Sequence, residues 1–142
     1  MSKITPLISS GIAGPLGILH LPRLWQKASL EAAGKLADDY PGCGQGYDQM
    51  FLDAVGLDRD AFLAFISGSK PTYPQLEAWV KENATNLDGA ADFNAAVTGY
   101  QHTDETRQEI LTANGLPDGT PTDAVNLNNL DDWLGFHAAE IA

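Results

Sequence analysis

The sequence has little cysteine, little positive charge and no long apolar run. Cys43 is the only cysteine in 142 residues, so neither an intrachain disulfide nor a multi-thiolate metal site can form. A single thiol is typical of the reducing cytoplasm, where we expect the protein. No stretch approaches the roughly 20 apolar residues that cross a membrane. Serine, glycine and proline interrupt residues 1–19 where a secretory signal needs a continuous apolar core, so we expect no secretion.

Basic residues are scarce as well. Lysine and arginine number 8 against 19 aspartate and glutamate residues, and the formal net charge is −11. Such a chain repels phosphate backbones and anionic lipid surfaces, so we expect neither nucleic acid nor a membrane as a partner. Residues 1–36 are the exception, because they hold four basic residues and one acidic residue. The search for a binding site therefore starts in this segment.

Apolar residues recur at helical spacing throughout the chain. From His20 to Leu36 they return every three or four positions, which predicts a first helix that reaches Leu36 and has Pro22 in its first turn. No segment alternates as a strand does, and no long repeat is present. We predict an all-α fold, a compact bundle of about six or seven short helices. Residues 1–19 are predicted to be an irregular segment packed on a single helical domain of residues 20–142.

Start and stop residues divide the bundle into separate helices. A second helix is predicted over about 47–55, and the last over about 128–139. The residues predicted to cap the helices between them are Asp58, Thr72 or Tyr73, Asp88 and Thr103.

The predicted helices place one set of residues in the core and another at the surface. Trp25, Trp79 and Trp133 each fall on an apolar helical face, so we predict that they share the core. Asp131 and Asp132 are adjacent and cannot face each other across a helix, so we interpret both as part of a solvated face.

Several short patterns resemble a known family. They are LPRLWQKA, AGKL, YDQMFLDAVGLDRDAFLAFI, LEAWVKENA and TRQEILTANGL, in that order and spacing. Together they cover most of residues 18–116, and they resemble the bacterial family called domain of unknown function 5069. The resemblance implies a compact helical bacterial domain. It implies no substrate and no reaction.

The candidate site lies at the start of the first helix. His20, Arg23 and Lys27 are one helical turn apart, so two cations and an imidazole can converge on a carboxylate or phosphate. The glycine-rich loop that follows the helix can bring Tyr40 and Asp48 back to the same place. These five residues are our predicted ligand-binding set.

The same cations have a structural alternative. An acidic domain tends to neutralise its few basic residues, so Arg23 and Lys27 can instead hold the short helices against the first one. The predicted partners in that case are Asp38, Asp39, Asp48 and Asp53.

Two chemical alternatives remain at this position. Cys43 lies in a glycine loop before a helix, where a thiolate paired with His20 can act as a nucleophile; an inert buried thiol is the alternative. His20, His102 and His137 form no metal-binding helical pair, so we expect no metal and no cofactor.

Three functions are therefore open. The leading hypothesis is a soluble helical module that binds a small anionic ligand or a peptide segment through His20, Arg23 and Lys27. The second is a small enzyme that uses His20 or Cys43 in the same pocket. The third is an acidic protein-interaction subunit without a pocket.

Overall fold

Seven α-helices and one short 3-10 helix make up the computed structural model, which describes residues 3–142. The helices are α1 Leu21–Ala32, α2 Tyr47–Val55, α3 Arg59–Ser69, α4 Tyr73–Asn83, α5 Ala90–Gly99, α6 Asp104–Ala113 and α7 Ala124–Glu140, with the 3-10 helix at Leu87–Gly89. Within residues 3–142 there is no strand, and only isolated bridges occur. The all-α prediction is confirmed. The first two residues of the predicted irregular segment lie outside the described residues.

Three of the predicted caps begin helices in the structure. The side chains of Asp58, Thr72 and Thr103 accept backbone N–H groups at the starts of α3, α4 and α6. Thr72 also forms a reciprocal capping box with Gln75. These short polar residues satisfy N–H groups that the first helical turn leaves unpaired.

The predicted cap at Asp88 is wrong. Asp88 lies inside the 3-10 helix, and α5 begins at Ala90 without a side-chain cap. Gly89 explains this turn, because a Cβ at that position would lie 2.0 Å from the carbonyl oxygen of Ala54. The close approach to α2 determines where α5 begins.

Two predicted helix ends also differ from the structure. The first helix ends at Ala32, because Gly34 adopts a left-handed φ of 71° and Leu36 pairs with Ile4. The last helix begins at Ala124 rather than near Asn128, because the side chain of Asp123 accepts a hydrogen bond from the Asn126 N–H group at 3.0 Å.

α1 is the central helix of the core. It packs against α3 and α4, while α2 packs against α5. The rings of Phe51 and Phe62 meet edge to face at 6.5 Å, and those of Phe51 and Phe93 at 5.7 Å. Burying one such side chain contributes about 1.5–3 kcal/mol. This apolar core positions the polar start of α1.

The tryptophan prediction holds only in part. Trp25 and Trp79 are half-buried, and Trp79 stacks on Phe65 with ring centroids 5.0 Å apart. Trp133 is 56% exposed, so its predicted burial is wrong. The adjacent Asp132 faces inward, and successive residues of a helix point about 100° apart.

The described part of the N-terminal segment lies over three helices. Backbone N–H groups of this segment donate to side chains on α1, α4 and α5: Ile8 to Gln26 at 3.1 Å, Leu16 to the Glu77 carboxylate at 3.1 Å, and Leu19 to Asn94 at 2.9 Å. These bonds lead the chain directly to His20. None of the described helices has the length and apolar character that a membrane crossing requires.

Candidate functional site

A cavity of about 290 Å³ lies among the start of α1, the loop before α2, α2 itself and α7. The structure brings all five residues of the predicted ligand-binding set to its wall: His20, Arg23, Lys27, Tyr40 and Asp48. Side chains from outside that set also line it, namely Ser10, Asp39, Tyr47, Asn128, Asp131 and Asp132. The pocket therefore combines α1 with chain segments that are far apart in sequence.

The loop before α2 is held from both sides. The Gly42 N–H group donates to the Glu31 carboxylate of α1 at 3.0 Å, and a Cβ at Gly42 would lie 2.5 Å from that carboxylate. From the other side, the Arg59 guanidinium donates to the carbonyl oxygens of Cys43 and Gly44. Any larger residue at position 42 would displace the Glu31 side chain, and the loop places Tyr40 and Asp48 beside α1.

One buried group of charges is centred on Asp48, and we call it the Asp48 cluster: His20, Lys27, Gly44 and Asp48. One carboxylate oxygen of Asp48 lies 2.5 Å from His20 Nε2. The other accepts from Lys27 Nζ at 2.6 Å and from the Gly44 N–H group at 2.7 Å. The side chains of His20 and Asp48 are each only 3% exposed. The carboxylate is thus fully engaged inside the protein.

The pKa shifts assign the protons in this cluster. Burial opposes the charged form of Asp48, but the hydrogen bond from His20 and the charge of Lys27 outweigh it and hold the carboxyl pKa well below its usual range. Burial lowers the pKa of His20, so the imidazole is neutral at pH 7. Because an ionised carboxylate only accepts hydrogen bonds, the ring proton is on Nε2.

The other ring nitrogen of His20 faces a serine. Ser10 Oγ lies 2.9 Å from His20 Nδ1, and both residues are 2% exposed. With the proton on Nε2, Nδ1 carries a lone pair and accepts the Ser10 hydroxyl proton. Ser10, His20 and Asp48 therefore form a continuous chain of hydrogen bonds at the pocket wall.

A second buried group is centred on Asp132, and we call it the Asp132 cluster: Arg23, Tyr40 and Asp132. Arg23 donates to both carboxylate oxygens, at 2.6 and 3.1 Å. The Tyr40 hydroxyl donates to Asp132 Oδ1 at 2.9 Å, and the Arg23 guanidinium lies 5.9 Å from the centre of the Tyr40 ring. Burial and the charge of Asp132 raise the pKa of the Tyr40 phenol, which stays protonated.

These contacts show which aspartates pair with Arg23 and Lys27. Lys27 pairs with Asp48, one of the four predicted partners, but Arg23 pairs with Asp132, which was not among them. The interpretation of Asp132 as a solvated residue is wrong, because its side chain is 3% exposed. It faces inward because the packing of α7 lays this position against Arg23.

Two further carboxylates at the pocket have no such partner. Within residues 3–142, Asp39 and Asp131 form no hydrogen bond or ion pair through their side chains, whereas Asp38 lies 3.9 Å from Lys3. Burial, together with the negative charges of Asp132 and Asp39, raises the pKa of the Asp131 carboxyl. Both residues are exposed, so the pocket rim carries two carboxylates that water solvates and that no other described residue pairs with.

Cys43 does not line this pocket, although His20 does. Its side chain is buried, and burial together with the charge of Asp48 raises the pKa of the thiol. A raised pKa keeps the thiol protonated, which is the opposite of what a nucleophilic cysteine needs. The structure thus offers Cys43 no activating partner among the described residues.

The remaining histidines lie elsewhere. His102 Nε2 is 2.9 Å from the Asn128 side-chain oxygen, and His137 is exposed on α7. In the described part of the chain, no group of three or more histidine, cysteine, aspartate or glutamate side chains is arranged to hold a metal ion.

Comparison with known proteins adds one match. The model of the family described as "Domain of unknown function (DUF5069)" matches residues 10–131. No curated protein matches the chain. The matched segment begins at Ser10 and includes every predicted ligand-binding residue. The chain belongs to the DUF5069 family.

Proposed function

We propose that this protein is a binding module for a small polar ligand, or a peptide segment, that presents a positively charged group to the pocket. The observation that carries the proposal is the pairing of charges. Arg23 and Lys27 are each neutralised by a buried aspartate, while Asp39 and Asp131 are not neutralised by any described residue. We therefore propose a cationic ligand in place of the anionic ligand expected from the sequence, at the same pocket.

The charges at the wall favour a cation over an anion. Two cations, Arg23 and Lys27, stand against four aspartates, with His20 neutral. An anion that took Arg23 would leave Asp132 buried without its partner, and an unpaired buried charge costs about 3–5 kcal/mol. A cation beside Asp131 instead relieves the repulsion that raises the pKa of its carboxyl.

The pocket is also prearranged for a small ligand. Its volume of about 290 Å³ lies just below the range of about 300–1,000 Å³ that is typical of drug-sized ligand sites. Tyr47 also lines it, and aromatic rings attract cations through their faces. Tyr47 is fixed by a hydrogen bond from its hydroxyl to the Val97 carbonyl at 3.0 Å, and burial raises its pKa to about 12. This side chain therefore loses little conformational freedom when a ligand binds.

A pair of probes of similar size tests the charge of the ligand. Butylammonium and butyrate have the same chain length and opposite charge, and either can be titrated into ¹⁵N-labelled protein. We expect butylammonium to shift the amide signals of Gly46, Asn128 and Asp131, and butyrate to leave them in place. Stronger shifts with butyrate would overturn the proposal.

Matched variants locate the binding. Asp131→Asn removes the uncompensated charge with little change of shape, so the shifts with butylammonium should be lost. Asp92→Asn makes the same change on the exposed surface of α5, away from the pocket, and should retain them. Equal loss in both variants would show that the probe responds only to overall charge.

Source and location are part of the proposal. The family resemblance supports a bacterial origin, and the single unpaired thiol at Cys43 supports a reducing cytoplasm. The location can be checked by fractionating cells that express the chain from its own gene.

One observation favours a second candidate, the acidic interaction subunit. Trp133 on α7 and Ile141 just after it are 56% and 64% exposed, and large exposed apolar side chains are common at protein interfaces. Pull-down with the wild-type chain and with Trp133→Ser tests it. A partner retained equally by both proteins would count against α7 as the contact surface.

A further inference from the structure

We propose that Ser10 is a nucleophile for acyl transfer, with His20 as its general base, and that the substrate is a small ester carrying an ammonium group. The argument begins with geometry. Ser10 Oγ is 2.9 Å from His20 Nδ1, and His20 Nε2 is 2.5 Å from the Asp48 carboxylate. A nucleophile hydrogen-bonded to a base, and a base oriented by a carboxylate, is the arrangement that activates serine on unrelated folds.

The backbone holds Ser10 and His20 in a fixed relation. A turn at residues 9–12 closes through the Ile12 N–H group, which donates to the Ser9 carbonyl at 3.2 Å. The His20 N–H group then donates to the Ile12 carbonyl at 3.1 Å. The turn that carries the serine is thus bonded directly to the residue that carries the base.

His20 itself adopts a strained conformation. Its φ is 71°, in the left-handed region that residues with a side chain rarely occupy. It lies at the N-cap position of α1 but caps no N–H group with its side chain. The imidazole is instead directed between Ser10 and Asp48, and strain of this kind is concentrated at functional sites.

Asp48 acts as a positioning residue. Its carboxylate accepts from His20, Lys27 and the Gly44 N–H group, so it cannot rotate away from the imidazole. Lys27 also lines the cavity and uses one of its three N–H donors on Asp48. The others are available to an oxygen that gains negative charge.

The proposed step balances as an ester hydrolysis. Ser10 Oγ attacks the acyl carbon, and its proton passes to His20 Nδ1. The bond from the acyl carbon to the alcohol oxygen breaks, and the alcohol leaves with that proton. Water then adds to the acyl carbon and gives one proton to His20 Nδ1. The bond from Ser10 Oγ to the acyl carbon breaks, Ser10 Oγ takes that proton back, and the carboxylic acid leaves. The positive charge of the substrate rests on the proposed function, because Asp39 and Asp131 would hold the ammonium group; the role of Ser10 does not.

Labelling with a fluorophosphonate tests the nucleophile. An activated serine attacks the phosphorus and expels fluoride, so wild-type protein should gain one adduct by intact mass, and peptide mapping should place it on Ser10. Ser10→Ala should gain none. Ser9→Ala is the matched control: Ser9 lies one residue earlier, its side chain contacts only the Gly11 N–H group among the described hydrogen bonds, and its backbone is retained, so labelling should be unchanged. His20→Gln should slow labelling about 100-fold or more.

Two results would overturn the proposal that Ser10 is a nucleophile. One is no adduct on wild-type protein under conditions that fully modify chymotrypsin in the same tube. The other is an adduct that maps to any residue except Ser10. Mapping is done on the wild-type protein, so neither result depends on whether a variant folds.

A pair of esters tests the substrate class separately. Glycine p-nitrophenyl ester carries an ammonium group where p-nitrophenyl propionate carries a methyl group. After subtraction of the rate with Ser10→Ala, and division by the rate at which hydroxide cleaves each ester, we expect the glycine ester to be cleaved several-fold faster. Labelled Ser10 with a preference for propionate would overturn the substrate class alone. Binding of butylammonium without labelling of Ser10 would support the proposed binding function and overturn the proposed enzymatic activity.

Discussion

The two buried clusters at the pocket and the ion pairs on α6 have nearly the same bond lengths. Lys27 lies 2.6 Å from Asp48 and Arg23 2.6 Å from Asp132; Arg107 lies 2.7 Å from Asp104 and 2.8 Å from Asp118. The surroundings differ. The side chains of Asp48 and Asp132 are 3% exposed, whereas those of Asp104 and Asp118 are 86% and 47% exposed.

The difference shows that burial, and not distance, decides what an ion pair does. At the surface, water solvates each charge when the pair separates, so the pair contributes little. Inside the protein, a charge without its partner has no substitute, so the pair enforces one arrangement of α1, the loop and α7. The need to pair these buried charges therefore determines the shape and the charge of the pocket.

Removing Asp132 should have the largest effect. Asp132→Ala leaves Arg23 buried without a carboxylate, and we expect the free energy of unfolding to fall by about 3–5 kcal/mol in urea denaturation. The double variant Arg23→Met with Asp132→Leu should recover most of this loss, because an apolar pair needs no partner. Asp131→Ala, one residue away, should cost far less; an equal loss would contradict the role of burial.

The second-largest effect should be a loss of stability in acid, which acts on the Asp48 cluster. The pKa of His20 is lowered from its ordinary 6.5 by burial, so the unfolded chain binds a proton that the folded chain refuses as the pH falls below about 6.5. The pKa of Asp48 is also lowered, and its contribution is lost at still lower pH. The melting temperature should therefore decline on acidification from pH 7 to 5. His20→Gln should flatten that decline, and His137→Gln should retain it.

The charge of Lys27 should be visible in the titration of His20. A nearby cation opposes protonation of the imidazole, so Lys27 lowers the pKa of His20 in the folded protein. In Lys27→Met we expect that pKa to rise, as measured by NMR titration of the ring protons. Lys35→Met is the control on the exposed part of the chain after α1. A lower His20 pKa in Lys27→Met would show that Lys27 does not act on the imidazole.

The surface pairs should give the smallest effect. Asp118→Asn weakens both contacts of Asp118 with Arg107, while the guanidinium keeps its bond to the exposed Asp104 carboxylate. The melting temperature should stay close to that of the wild type, with any change vanishing in added salt. A loss as large as that of Asp132→Ala would erase the distinction between the two regions.

Local signals in the sequence were enough for most helices. Tyr47–Val55 was predicted with both bounds correct, because Gly56 supplies the left-handed residue that ends the helix, with a φ of 69°. Asp58 and Thr103 gave correct starts for the same kind of reason. The predicted cap at Asp88 was wrong because Gly89 packs against the Ala54 carbonyl. The predicted burial of Trp133 was wrong because the neighbouring Asp132 faces inward. In both cases tertiary contacts override the local preference.

The site was predictable where its residues share an element or a loop. His20, Arg23 and Lys27 share a helix face, and the loop that returns to α1 carries Tyr40 and leads to Asp48. Ser10 and Asp132 were missed because they reach the pocket from an irregular segment and from the last helix. No periodicity relates either of them to α1, and only the tertiary structure brings them there.

The most direct test of the account is the protonation of His20 at pH 7. A long-range ¹H–¹⁵N spectrum of the histidine rings reports which ring nitrogens carry protons. The account predicts a neutral ring for His20, with its proton on Nε2 beside Asp48 and Nδ1 free to accept from Ser10. A doubly protonated ring would contradict it, because the pocket would then carry an additional positive charge and Ser10 would have no base.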